Sequence, residues 1–114
     1  MSITNALASI AVKDLSTSLK WYRALFGRSA DSTPAPQVAE WRFQHGGSLQ
    51  VYELEERAGG SSATLCVSSV TDQIANLRKL GIDPGSMASA NQKVVMIKDP
   101  DGNSIAFVER PAAP

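Results

Sequence analysis

The stretch Lys98-Asp99-Pro100-Asp101-Gly102-Asn103-Ser104-Ile105-Ala106-Phe107-Val108-Glu109 decides how this chain folds, because it joins a strand, a sharp turn and a second strand. Pro100 presets φ for a turn, the Asp99 and Asp101 carboxylates can accept from nearby backbone N–H groups, and Gly102 takes up positive φ without a Cβ clash. This reading makes the two aspartates turn caps, not a catalytic carboxylate pair. A five-residue loop over 99–103 sets Met96 opposite Ala106. An earlier stretch repeats the pattern more weakly: Ser48-Leu49-Gln50-Val51-Tyr52-Glu53 falls in step with Ser104 to Glu109, which predicts a duplicated chain.

Working outward, residues 6–12 alternate as a strand with Ala8, Ile10 and Val12 on one face and Leu7, Ser9 and Ala11 on the other, both expected to be covered. Leu15, Leu19, Tyr22 and Phe26 recur at helical spacing, so a helix is predicted over 16–26, with Asp14 or Ser16 as its cap and Gly27 as its stop. A short strand is expected near 28–33, ended by Thr33-Pro34-Ala35-Pro36 as a loop. Residues 38–44 and 49–54 form a hairpin. A three-residue loop His45-Gly46-Gly47 pairs Phe43 with Leu49 and Arg42 with Gln50; a two-residue loop would turn Trp41 to the opposite face. Residues 55–61 read as a linker inside one domain. The pattern then restarts: a strand over 62–67, a helix carrying Val70, Ile74 and Leu77 closed by Gly81, a strand near 82–87, and strands over 94–98 and 104–109. Each half reads β-α-β-β-β, and the tail 111–114 is expected to fray.

At 114 residues the chain is read as one domain, 1–114, able to bury about two thirds of its unfolded surface. Eleven Lys and Arg balance eleven Asp and Glu, so no basic field attracts nucleic acid or an anionic membrane. No apolar run approaches the roughly 20 residues that span a bilayer. The lone Cys66 allows no intrachain disulfide, and the first residues carry neither a basic nor an apolar leader pattern, so the expected location is cytoplasmic. His45, the single histidine, is expected on an exposed hairpin tip, outside any cup. Cys66 is read as a small buried thiol, Trp21 and Trp41 as packing residues, and Lys13, Lys20, Arg23 and Arg28 as surface charges. With one histidine, no Ser-His, Cys-His or His-Glu constellation can be assembled, and no catalytic residue is assigned.

The runs Val12-Lys13-Asp14-Leu15-Ser16-Thr17-Ser18-Leu19-Lys20-Trp21-Tyr22, Leu25-Phe26-Gly27 and Asp99-Pro100-Asp101-Gly102-Asn103-Ser104-Ile105 closely resemble the vicinal oxygen chelate superfamily, which includes glyoxalase I, bleomycin-resistance proteins and extradiol dioxygenases. The resemblance implies an α+β fold: two tandem βαβββ modules, about 4–56 and 61–110, forming a curved mixed-sheet cup with helices outside. The superfamily's metal ligands, usually His, Gln or Glu, would fall on Leu7, Gln50, Ser62 and Ala106. One amide oxygen is far from the three or four ligands that hold a transition metal, so no metal and no cofactor are expected.

Strand parity together with the implied cup points to a lining of Leu7, Ser9, Glu40, Arg42, Gln50, Tyr52, Ser62, Thr64, Val94, Met96 and Ala106. The mixture of apolar wall and few polar groups suits a small organic molecule. The reading is therefore a metal-free small-molecule-binding protein, for sequestration of a resistance type or for sensing. A glyoxalase-like lyase, isomerase or dioxygenase is the alternative, and an interaction module with a filled cup is a third. The resemblance also implies a homodimer.

Overall fold

The structure, a computed structural model, describes residues 2–85 and 93–110. The first half runs β1 (Leu7–Val12), α1 (Leu15–Phe26), β2 (Ser32–Ala35), β3 (Val38–Arg42) and β4 (Ser48–Glu53); after a 3₁₀ turn at Glu55–Arg57, the second runs β5 (Ser62–Val67), α2 (Val70–Lys79), β6 (Val94–Lys98) and β7 (Ser104–Glu109). One mixed sheet has the order β1-β4-β3-β2 and the other β5-β7-β6. In each, the first strand of the half lies parallel to the last, so a helix must cross over between them. This is the α+β arrangement of two sheets with helices outside.

The repeat carries through to single atoms. Leu7 pairs with Ser48 as Ser62 pairs with Ser104. Glu53, ending β4, accepts from the Leu15 N–H at the start of α1, and Glu109, ending β7, accepts from the Val70 N–H at the start of α2, both at 2.9 Å. Each helix thus has an orphan N–H satisfied by the strand beside it, where a carboxylate also meets the positive end of the helix dipole. Asp14 is the α1 cap, and Ser69 caps α2.

Two expectations need correction. The third element of the first half is not a strand near 28–33 followed by a proline loop: β2 is Ser32–Ala35 and contains Pro34. It lies at the sheet edge, with an irregular register against β3, where a missing N–H breaks no ladder. In the second half, residues 82–85 are not a strand; Ser86 and Met87 of the expected strand, and the tail 111–114, lie outside the described residues.

Both halves contribute to one core between sheets and helices, including Ile10, Val12, Trp41, Leu49, Val51, Leu77, Ile97 and Ile105. Trp41 is fully buried, and its indole N–H donates to the Arg28 carbonyl at 3.0 Å. Phe26 packs against it and Phe43, with ring centroids 5.3 and 5.7 Å apart. Such aromatic pairs add about 0.5–1.5 kcal/mol each beyond their buried area.

A polar cluster at the 99–103 turn joins the halves. The buried Asn103 amide donates to the Ala11 carbonyl and to Asp99 Oδ2, both at 2.8 Å, and its Oδ1 accepts from the Gly59 and Ser61 N–H groups. Asp99 Oδ1 caps its own turn, accepting from the Asp101 and Asn103 N–H groups, while Oδ2 accepts from the Tyr22 hydroxyl of α1 at 2.7 Å. Burial and then the Asp99 carboxylate push the Tyr22 phenol far above its ordinary pKa, so it stays a donor at every working pH. Gly59 has φ +93, and a Cβ there would lie 2.8 Å from the Asp101 carbonyl.

Tyr22→Phe should therefore cost about 1.5–3 kcal/mol in urea unfolding, the range for a hydrogen bond to a charged group. Gly59→Ala should cost at least about 1–2 kcal/mol from the left-handed backbone alone, and more from the contact with Asp101. Midpoints unchanged from wild type would contradict the assigned roles.

Candidate functional site

The sheet face opposite the helices is built by alternation. In the first half it carries Leu7, Ser9 and Ala11 from β1, Ser48, Gln50 and Tyr52 from β4, and Glu40 and Arg42 from β3, with Ser9 and Glu40 flanking Gln50. The Ser9 hydroxyl donates to Gln50 Oε1, and Arg42 Nε reaches Glu40 Oε1, both at 3.4 Å. In the second half the same face carries Ser62 and Thr64 from β5, Val94 and Met96 from β6, and Ala106 from β7; Thr64 and Met96 flank Ala106. The first six predicted site residues thus share one sheet face, and the other five share its counterpart.

The hairpin register differs from expectation by two residues. Phe43 N–H donates to the Gly47 carbonyl and Gly46 N–H to the Phe43 carbonyl, so the loop is Gln44-His45-Gly46. Arg42 then pairs with Ser48, and Glu40 with Gln50. A shift of two leaves every side chain on its face, and Trp41 stays on the core side. The β1 face is not covered as expected: Leu7 is 46% exposed, and only Ala11 is buried, where the 55–61 segment crosses it and the Ser61 hydroxyl accepts from its N–H. Cys66 is exposed, not buried, because it points out from β5 at the margin of the three-stranded sheet.

The cavities divide the predicted residues. Ser9 and Tyr52 line one of about 550 Å³ together with Glu56, Arg57 and Ser61. Thr64 lines another of about 560 Å³, walled by Ala6, Ala8, Phe43 and Leu65, in which His45 and Cys66 both take part. His45 is exposed on the hairpin loop, as expected, and from there also borders this concavity. Met96 borders a third, beside Trp21 and Lys98. Arg57 and Glu56 are the residues sequence reasoning missed. They sit in a segment read as a bare linker, and their signal was a charged pair immediately before Ala58-Gly59-Gly60.

Several carboxylates around this frame are held below their ordinary range. The Ser16 and Thr17 hydroxyls do this for Asp14, Arg28 and then the Arg42 N–H for Asp31, and Lys93 and then the Val70 N–H for Glu109. A depressed folded-state pKa gives stability that is present above the unfolded value and lost as pH falls through the folded one. The melting temperature should thus fall between about pH 5 and pH 2 as these groups protonate. Asp14→Asn, which still caps the helix, should flatten that fall in thermal scans; an unchanged profile would show that Asp14 contributes nothing to it.

As a metal site the face is poor in donors. The positions assigned by resemblance carry Leu7, Gln50, Ser62 and Ala106, and among the described residues no three His, Cys, Asp or Glu side chains are grouped to hold an ion. Its chemistry is that of hydrogen bonding and shape: hydroxyls, an amide, the Arg42 and Arg57 guanidinium groups, and apolar wall. Among the described helices none is long and apolar enough to cross a membrane.

Two halves of like topology, β-α-β-β-β and, among the described residues, β-α-β-β, with helices on one side and an open, mixed polar and apolar sheet face on the other, define an α+β cup fold. The chain belongs to the glyoxalase/bleomycin resistance family of the vicinal oxygen chelate superfamily: it is 32% identical to a glyoxalase/bleomycin resistance protein from Catenulispora acidiphila, with TM-score 0.81 over 94% of this chain and 98% of that one. The same fold occurs in the bleomycin-binding protein from Streptomyces verticillus, solved with copper(II)-bleomycin (15% identity, TM-score 0.75, 96% and 98% covered). It occurs also in an antibiotic-binding protein from a Streptomyces species (21% identity, TM-score 0.75, 96% and 98% covered). The sequence matches no family model and no curated protein.

Proposed function

We propose that this protein binds a small organic molecule on its cup face without a catalytic metal, as a sequestering protein of the resistance type or a sensor, acting in the cytoplasm as a homodimer. The observation that carries the reading is the chemistry of that face, which combines apolar wall with hydrogen-bonding groups and offers one neutral amide at the positions the superfamily uses for metal. The antibiotic-binding relatives support it by fold. The enzymatic alternative would need donors these positions lack.

A second copy of the chain would explain the exposed apolar side chains. Leu7 and Val94 are each 46% exposed and Met96 57%, and covering such side chains is worth about 25 cal/mol per Å² of apolar surface. Sedimentation at tens of micromolar should return a dimer; a monomer there would remove the dimer from the proposal.

Binding is tested by calorimetric titration with bleomycin, with and without copper(II), and with a panel of aromatic and aliphatic antibiotics. A cup ligand should lose about 1.5–3 kcal/mol on Arg42→Ala, the range for a hydrogen bond to a charged group, with little change in melting temperature because Arg42 is exposed. Dialysed protein should contain well under one equivalent of transition metal. A binder indifferent to both Arg42→Ala and Gln50→Ala, or a stoichiometric metal, would overturn the site or the metal-free reading respectively.

A further inference from the structure

On the helix side, away from the cup face, a groove of about 400 Å³ lies between α1 and the chain entering β2. Its apolar lining is Leu19 and Ala30, backed by the fully buried Trp41, and its cationic lining is Lys20 and Arg23. Positions three apart on a helix are neighbours on its surface, so the two cations stand side by side over an apolar floor.

The charge here is unbalanced. Among the described residues no carboxylate lines the groove, and neither Lys20 nor Arg23 has one within ion-pair distance. The acids on the flanking chain are already engaged: Asp14 accepts from the Ser16 and Thr17 hydroxyls, and Asp31 from Arg28 and the Arg42 N–H. In a chain with zero formal net charge, this leaves a local positive field beside a concave apolar surface. The volume lies within the roughly 300–1,000 Å³ of small-molecule sites. Two free cations recognise one anionic head, and an apolar floor recognises a hydrocarbon body; neither feature serves the cup.

We propose that this groove is a second binding site, for a small amphiphilic carboxylate whose head pairs with Lys20 and Arg23 and whose chain or ring lies on Leu19 and Ala30, with the buried Trp41 directly behind them. The site shares no residue with the cup lining and stands or falls independently of the function proposed for it.

Trp41 supplies the readout, because it backs the groove and its indole N–H is bonded to the Arg28 carbonyl, next in the chain to Ser29 and Ala30 of the lining. The intact protein, labelled with ¹⁵N, is titrated with decanoate and, in parallel, with 1-decanol, the two indole signals being assigned with Trp21→Phe. Decanoate should shift the Trp41 indole signal saturably, and decanol should bind at least tenfold more weakly. The double variant Lys20→Ala/Arg23→Ala, checked for an unchanged spectrum before titration, should weaken decanoate at least tenfold, whereas Gln50→Ala on the cup face should leave its affinity unchanged. A Trp41 signal that does not move, equal binding of decanol, or affinity that follows Gln50→Ala in place of the lysine and arginine would overturn the proposal.

Discussion

The arrangement of the two halves depends on one buried amide. Asn103 bonds at once to the first strand through the Ala11 carbonyl, to the segment between the halves through the Gly59 and Ser61 N–H groups, and to its own turn through Asp99. Only an amide can do this, since the place requires two donors and an acceptor that takes two bonds. A carboxylate would set like charge against Asp99, and an apolar side chain would take this partner from the Ala11 carbonyl and the Gly59 and Ser61 N–H groups, at about 1–3 kcal/mol for each left unsatisfied. Tyr22 extends the same network to the first helix. The turn that closes the last hairpin therefore also docks one half on the other, and the close approach of Gly59 to Asp101 follows from that docking.

Around this clasp the duplicated halves use the same physics twice. Alternation along each strand sends one set of side chains into a shared core and the other outward, and the crossover helices cover only the core side. The glutamates ending β4 and β7 bind the helix starts, so the strand that carries the centre of the outer face is also the one that fixes the helix beside it. Packing and capping therefore hold the face in shape from behind while leaving its front open.

Much of this was legible in the sequence because it rests on period and parity. The helices, the matched hairpins and the outer-face residues follow from spacing, and parity tolerates an error of two: the loop began one residue earlier than expected, yet Trp41 and Arg42 kept their faces. What was not legible depends on neighbours distant in the chain. Pro34 reads as a strand breaker until the strand is known to be an edge. Asn103 reads as one more turn residue until Ala11 and Gly59 are brought beside it, and Arg57 as linker until the linker is folded across β1. Cys66 reads as an inert buried thiol because no histidine is expected beside it, while the sheet margin on which it lies is a matter of topology.

Register gives the two halves positional equivalents across the sheet faces: Ser9 with Thr64, Glu40 with Met96, Gln50 with Ala106, Tyr52 with Val108 and Arg42 with Lys98. Chemistry is repeated at Ser9 and Thr64 and at Arg42 and Lys98, but not between them, where Glu40, Gln50 and Tyr52 have the aliphatic equivalents Met96, Ala106 and Val108. A guest spanning both halves would meet no pair of equivalent orientations. Turning it end for end would exchange contacts with Glu40, Gln50 and Tyr52 for apolar ones, so these three positions alone would let a scaffold built by repetition tell head from tail.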